Sequence, residues 1–225
     1  MSVRREFDQW AERGRDREIA GRHWNTAKHV LARMPIEAGD RVLDLGTGSG
    51  YAARTLGSLG ADLAVGIDGS PAMARNARSY TDDDRIGFVV GVFDHLPFAD
   101  DSFDHCFSME AFYYAGDPHR TLAELRRVLR SGGTFHCAVD YYEENVYAHD
   151  WQENIDVEMT LWSAAEYRDA FRDAGFSVAT QDNVPDREIE IPPAEEFPID
   201  GYDNREEMIE RYRELGTLVT VGVVP

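Results

Sequence analysis

Residues Arg41-Val42-Leu43-Asp44-Leu45-Gly46-Thr47-Gly48-Ser49-Gly50-Tyr51 hold a short apolar run, interrupted by one carboxylate, that stops at three glycines spaced two apart. Val42, Leu43 and Leu45 read as a buried parallel strand. Tyr51-Ala52-Ala53-Arg54-Thr55-Leu56 then reads as the start of a helix. A strand that turns through glycines onto a helix N-terminus lets backbone come close to a ligand and points free N–H groups at it. The dinucleotide-binding spacing G-x-G-x-x-G would need its third glycine at position 51, which is Tyr51; the spacing here is G-x-G-x-G. Leu63-Ala64-Val65-Gly66-Ile67-Asp68 is a second apolar run ending in an acid, about where an α/β fold sets a carboxylate against a ribose hydroxyl pair.

Asp44 to Gly50 followed by Asp68 resembles the class I S-adenosylmethionine-dependent methyltransferases. Asp68-Gly69-Ser70-Pro71-Ala72-Met73 is similar to the family's second signature, in which the acid binds the ribose and the later apolar residue flanks adenine. Asp94-His95-Leu96-Pro97-Phe98-Ala99-Asp100-Asp101-Ser102-Phe103-Asp104 resembles the loop that precedes the fourth strand in one large branch of the family. Glu124 and the run Arg126-Arg127-Val128-Leu129-Arg130-Ser131-Gly132-Gly133 match its helix-to-strand turn, with Ser131 where proline is usual. The resemblance covers Arg41 to Asp140 and thins beyond. It implies an α/β fold: a doubly wound, Rossmann-like sheet of seven strands with an antiparallel last strand and helices on both faces. The implied cofactor is S-adenosyl-L-methionine, with S-adenosyl-L-homocysteine as product. The residues implied to bind it are Asp44, Gly46, Thr47, Gly48, Gly50, Asp68, Gly69, Met73, Phe93, Asp94 and Met109. Val92 departs from the pattern, standing where relatives often carry an aspartate that accepts from the adenine amino group. Adenine is then expected on the Phe93 backbone and apolar walls such as Met73, with Asp94 either a substitute acceptor or a solvated loop acid.

At 225 residues the chain is long enough for one well-buried domain and short for two. A net charge of −19 argues against a nucleic-acid-binding face, which needs basic patches. Lys28 is the only lysine, and the acids are spread rather than blocked, which reads as a solvated, salt-adapted surface of the kind a halophile carries. Cys106 and Cys137 sit in expected strands without C-x-x-C spacing, the pattern of inert thiols in a reducing compartment. No stretch is apolar enough to span a bilayer, and the charged N-terminus carries no apolar targeting segment, so a cytoplasmic protein without membrane attachment is expected.

Residues 3–34 suggest one or two amphipathic helices, broken at Gly14 and Gly21. The segment resembles the N-terminal cap of many small-molecule methyltransferases, which implies a cap (1–40), a cofactor-binding core (41–140) and a substrate-side segment (141–225), all one domain. Trp10, His23 and Trp24 are placed to line the pocket or to anchor the cap. The core alternates strand and helix. Ser70 and Pro71 are an N-cap and N1 pair for a helix to Ser79; Ile86–Val92 and His105–Met109 are the third and fourth strands; Pro118–Leu129 is a helix ended by glycines before a fifth strand, Thr134–Val139. Residues 141–162 form a polar, aromatic connection. Ser163 and Glu166 complete a capping box for a helix to Ala174, followed by a sixth strand, Phe176–Thr180, a helix Asn204–Arg213, and a final strand, Thr217–Val224, in a hairpin with the sixth.

Methyl transfer from a sulfonium is an in-line displacement whose demands are alignment and exclusion of water, so it imposes no obligatory catalytic signature. Glu110 and Tyr113, just past the fourth strand, and His23 in the cap are the candidate catalytic residues: Glu110 to pair with the cofactor amino group or act as a base, or simply to cap the next helix; Tyr113 to shape the acceptor site or to pack. His149, Tyr141 and Tyr142 are weaker candidates. No histidine spacing suggests a metal site, and there is no G-x-S-x-G elbow. The expected activity is methyl transfer to a small-molecule acceptor. The alternatives are a catalytically silent cofactor-binding or regulatory protein on the same fold and a nicotinamide-dependent oxidoreductase.

Overall fold

A computed structural model describes residues 2–225 apart from 156 and 200. Two helices, α1 (Val3–Glu12) and α2 (Arg15–Leu31), precede the sheet. Gly14 separates them at φ +73°, whereas Gly21 lies inside α2 and breaks nothing. One exposed glycine costs a helix only about 1 kcal/mol, and the buried residues Ala27, Val30 and Leu31 of α2 anchor it to the core. Then follow β1 (Arg41–Leu45), α3 (Tyr51–Ser58), β2 (Leu63–Asp68), α4 (Pro71–Ser79), β3 (Ile86–Val90), β4 (Phe103–Met109), α5 (Pro118–Val128) and β5 (Leu129–Val139). The chain ends with α6 (Trp151–Asn154), α7 (Ala164–Asp173), β6 (Ser177–Val184), α8 (Arg205–Ile209), a π-helical turn Glu210–Leu215, and β7 (Thr217–Val223).

The sheet order is β3-β2-β1-β4-β5-β7-β6. Strands β1 to β5 pair in parallel, and β7 lies antiparallel between β5 and β6. Alternate residues along each strand serve opposite faces. Leu43, Cys106 and Cys137 join one buried cluster; their neighbours Val42, Phe107 and Ala138 join the other. Helices therefore cover both faces, as the doubly wound reading requires.

Local chemistry explains the helix starts. Ser70 accepts the Met73 N–H at 3.0 Å with Pro71 in the first turn, and Ser163 with Glu166 forms the expected capping box. Several boundaries differ from the sequence reading. Strand β3 stops at Val90, not Val92, and β4 begins two residues before His105, at Phe103. Strand β5 begins directly at Leu129, so the glycines lie inside it as an irregularity rather than ending the helix. A Cβ on Gly133 would stand 2.8 Å from the Arg130 carbonyl and 2.9 Å from that of Asp104, so backbones meet there too closely for a side chain. The 141–162 connection carries a 3₁₀ turn (Val146–Ala148) and α6, β6 runs on to Val184, and α8 gives way to the π-turn after Ile209. Strand β7 is reached through residues 185–216, not a short hairpin loop.

Candidate active site

The strand order reverses between β1 and β4, and ligands of such sheets bind beyond the strand ends at that reversal. A cavity of about 450 Å³ lies there. Its floor is the glycine loop after β1. Gly46 and Thr47 donate their N–H groups to the Ile67 carbonyl (2.9 and 3.0 Å), tying the loop to β2. The buried Asp44 accepts from the Thr47 hydroxyl (2.6 Å) and the Ala53 N–H (3.1 Å), fixing loop to helix. Asp68 accepts from the Gly48 N–H (2.9 Å) on one oxygen and the Ser70 N–H (2.8 Å) on the other.

The three loop glycines, all at positive φ, have different reasons to be glycine. A Cβ on Gly46 would fall 2.2 Å from that of Ala111, and one on Gly50 would fall 2.7 Å from the Phe88 ring. One on Gly48 meets nothing within 4 Å; the space above it is the cavity.

Of the expected cofactor residues, Asp44, Gly46, Thr47, Gly48, Asp68, Gly69, Met73, Phe93, Asp94 and Met109 all line this cavity. Gly50 does not; it serves packing behind the loop. Val92 lines it too, 58% exposed and with no side-chain acceptor. The Leu96–Asp100 loop is held by Arg127, which donates to the Leu96 and Phe98 carbonyls and pairs with Asp100, and by Glu124, which accepts the Leu96 N–H (2.8 Å). Hydrogen bonds from Arg127 hold the Glu124 carboxyl down to about 2.

Glu110 follows β4 at φ +52°, outside the helical and extended regions. Its carboxyl is buried at the cavity wall, accepting from the Tyr113 hydroxyl (2.8 Å) and the Asp140 N–H. It caps no helix. Burial, then the nearby Asp140, pushes its pKa well up from the usual carboxylate range. Tyr113 points away from the cavity into the packing around Tyr141, and its neighbour Tyr114 takes the lining position. His23 lines the cavity, with a pKa lowered to about 4 by burial and secondarily by Arg22. Trp10 lines it as well, whereas Trp24 sits outside, half-exposed and edge-on to Tyr51. His149, Tyr141 and Tyr142 face the 141–162 connection and the chain before β7.

The sequence reading assigned no site role to Phe7, Asp16, Ile19 and Tyr51, which also line the cavity, whereas Tyr114 lies among the aromatics after β4 that it offered to shape an acceptor or to pack. The spacing Asp16-Ile19-His23 on one helical face was a usable signal for the cap residues. Burial raises both Asp44 and Asp68 to about 6. Among the described residues, Asp16, Asp44, Asp68, Asp94 and Glu110 line a cavity whose one charged basic side chain is Arg4, since His23 is neutral at pH 7. Such an enclosure suits a cationic ligand. Among the described residues, no cluster of three or more His, Cys, Asp or Glu is disposed to hold a metal ion, and no helix is long and apolar enough to cross a membrane.

Fold and site together define an α/β protein with an acid-lined cavity over a glycine loop at the strand-order reversal. Comparisons with known proteins resolve the class. The profile of the Methyltransferase domain family matches residues 43–137. A chain solved as a complex between the Haloferax volcanii Trm112 methyltransferase activator and a methyltransferase is 62% identical, with a TM-score of 0.96 over 98% of both chains. Methyltransferase phqN of Penicillium fellutanum is 30% identical over 178 residues, 73% of this chain and 55% of that protein. The sterol 24-C-methyltransferase of Saccharomyces cerevisiae is 29% identical, over 73% of this chain and 46% of that protein. The chain therefore spans about half the length of the curated relatives it matches. Geranyl diphosphate C-methyltransferase of Streptomyces coelicolor, solved with S-adenosyl-L-homocysteine, shares the fold at 18% identity, TM-score 0.70, over 88% of this chain and 76% of that one. This chain belongs to the class I S-adenosylmethionine-dependent methyltransferases, and its cofactor is S-adenosyl-L-methionine.

The residues present fit that cofactor: open space over Gly48, an acid with lone pairs left for a diol at Asp68, and an acidic enclosure for a sulfonium and an ammonium.

Proposed function

We propose that this enzyme methylates a small, uncharged or cationic acceptor held beside the cofactor beneath the N-terminal cap. The observation that carries this reading is that Val3, Phe7, Trp10, Ile19 and His23 of α1 and α2 roof the same cavity whose floor is the glycine loop. A polymer would have to displace that roof, and the five acids oppose an anionic acceptor. The cofactor supplies a methyl group on a sulfonium; the protein's tasks are alignment and water exclusion. Asp68 would hold the ribose, Phe93 and Met73 the adenine, and Glu110 the aminoacyl ammonium, whose charge favours the ionised carboxylate. His23, neutral at pH 7 with its pKa lowered to about 4, would offer the acceptor a ring lone pair but act only as a weak base. The test is transfer of labelled methyl into a size-fractionated extract of the source cells. Label in the low-mass fraction supports the reading; label in macromolecules alone refutes it.

A second reading concerns a protein partner, and the 62% identical chain solved with the Trm112 activator favours it. Strand β3 is an open edge of the sheet, and Val90 at its end and Val92 just beyond it stand 48% and 58% exposed. An unpaired edge is a template for strand addition. A Trm112-type activator docked there would lie beside the expected adenine pocket. Co-purification at one to one, lost on Val90→Glu, supports this; failure of wild type to associate overturns it.

A further inference from the structure

Tyr51 is the first residue of α3, directly after Gly50, and its side chain enters the cavity floor. Its ring is fixed edge-on by Trp24, with centroids 6.2 Å apart at 90°. Its hydroxyl is fully buried and has no hydrogen-bond partner in the protein. A buried hydroxyl left unpaired costs about 1–3 kcal/mol, and native structures keep such groups where something else meets them. Burial, then the charges of Asp44 and Glu110, push its pKa well up, so it stays a phenol and a donor.

The surrounding side chains narrow what it meets. Asp44 is committed to Thr47 and Ala53, and Glu110 to Tyr113 and Asp140; neither takes the Tyr51 proton. Asp68 and Phe93 mark the nucleoside end on the β2–β3 side, which leaves the aminoacyl end for the β1–β4 side, where Tyr51 stands. That end carries an ammonium, which the acids match, and a carboxylate, which needs donors in a wall whose basic side chain, Arg4, is already paired with Asp8 at 3.8 Å.

We infer that the Tyr51 hydroxyl donates a hydrogen bond to the carboxylate of the cofactor's aminoacyl end, making Tyr51 a cofactor-positioning residue. The inference rests on the cofactor assignment above. The test is calorimetric titration of wild type and Tyr51→Phe with S-adenosyl-L-homocysteine and with 5′-methylthioadenosine, which lacks the aminoacyl group. Tyr51→Phe keeps the ring, and its thermal midpoint should hold or rise because the unpaired hydroxyl is gone. About tenfold weaker S-adenosyl-L-homocysteine binding with 5′-methylthioadenosine binding unchanged supports the assignment. Equal loss for both ligands indicates packing alone and overturns it, as does no loss for either. Tyr51→Met, apolar and without a donor, should show the same ligand split if Tyr51→Phe folds poorly. A wild type that binds neither ligand, alone or with a Trm112-type activator, would instead refute the cofactor assignment itself.

Discussion

Asp68→Ala probes the ribose assignment most sharply. An ionised carboxylate offers about four lone-pair directions. Two are used by the Gly48 and Ser70 N–H groups at 2.9 and 2.8 Å, leaving two, the number a ribose diol needs. Each hydrogen bond to a charged group contributes about 1.5–3 kcal/mol. Loss of even one predicts S-adenosyl-L-homocysteine affinity lower by roughly 10- to 150-fold at 25 °C. Removing the acid also frees the two N–H groups, so thermal unfolding must be followed in parallel. Asp68→Asn, which keeps one acceptor oxygen, should fall between wild type and Asp68→Ala. The assay is calorimetric titration of each folded variant. A cooperatively folded Asp68→Ala with unchanged affinity would refute the reasoning.

Gly46→Ala should destabilise strongly or fail to fold, because its Cβ would meet Ala111 at 2.2 Å, whereas Gly48→Ala should fold, losing about 1–2 kcal/mol for its φ of +50°, yet lose cofactor affinity; thermal melts with titration check both. Cofactor affinity should fall as pH drops from 7 to 5. Asp44 and Asp68 titrate near 6 in the free protein, and protonation removes the charge that attracts a cation; affinity flat across that window would contradict this. Their effect on the free protein's stability has the opposite sign. Carboxyls raised from 3.8 to about 6 bind more protons folded than unfolded, so their contribution is present at low pH and lost as pH rises from about 4 to 6. The buried His23 and His136, lowered from 6.5 to about 4, oppose this by losing stability as pH falls through the same window, so the melting temperature should move less than the affinity. Ser163→Ala, which removes the capping-box hydroxyl of α7, should cost about 0.5–2 kcal/mol in denaturant unfolding without changing cofactor affinity.

Where local chemistry governs, the sequence was readable: Ser70 with Pro71 and Ser163 with Glu166 act over a few residues, whereas the pairing of Gly48 with Asp68, twenty residues on, was readable through the family pattern. The antiparallel β7 was readable through family resemblance. What escaped depends on contacts distant in sequence. Gly21 reads as a breaker, but α2 continues through it to its buried residues Ala27, Val30 and Leu31. Gly132 and Gly133 read as a turn; Gly132 does take a left-handed φ of +80°, but Gly133 serves a close approach to the Asp104 backbone. The exchange of Tyr113 for Tyr114 at the cavity wall follows from the left-handed backbone at Glu110, which nothing in the sequence announces. Gly50 looks like a ligand glycine, and only the Phe88 ring, brought in by β3, shows that it is a packing glycine.

The central claim is that the cavity between the glycine loop and the helical cap is an S-adenosyl-L-methionine site whose ribose sits on Asp68. Calorimetric titration of the wild-type chain with S-adenosyl-L-homocysteine and NADH, alone and with a Trm112-type activator, tests it most directly. Saturable one-to-one binding of S-adenosyl-L-homocysteine in at least one of these states, weakened in Asp68→Ala, with no NADH binding, is the predicted result. A folded protein that ignores S-adenosyl-L-homocysteine in both states, or binds NADH as well as it binds S-adenosyl-L-homocysteine, would contradict it.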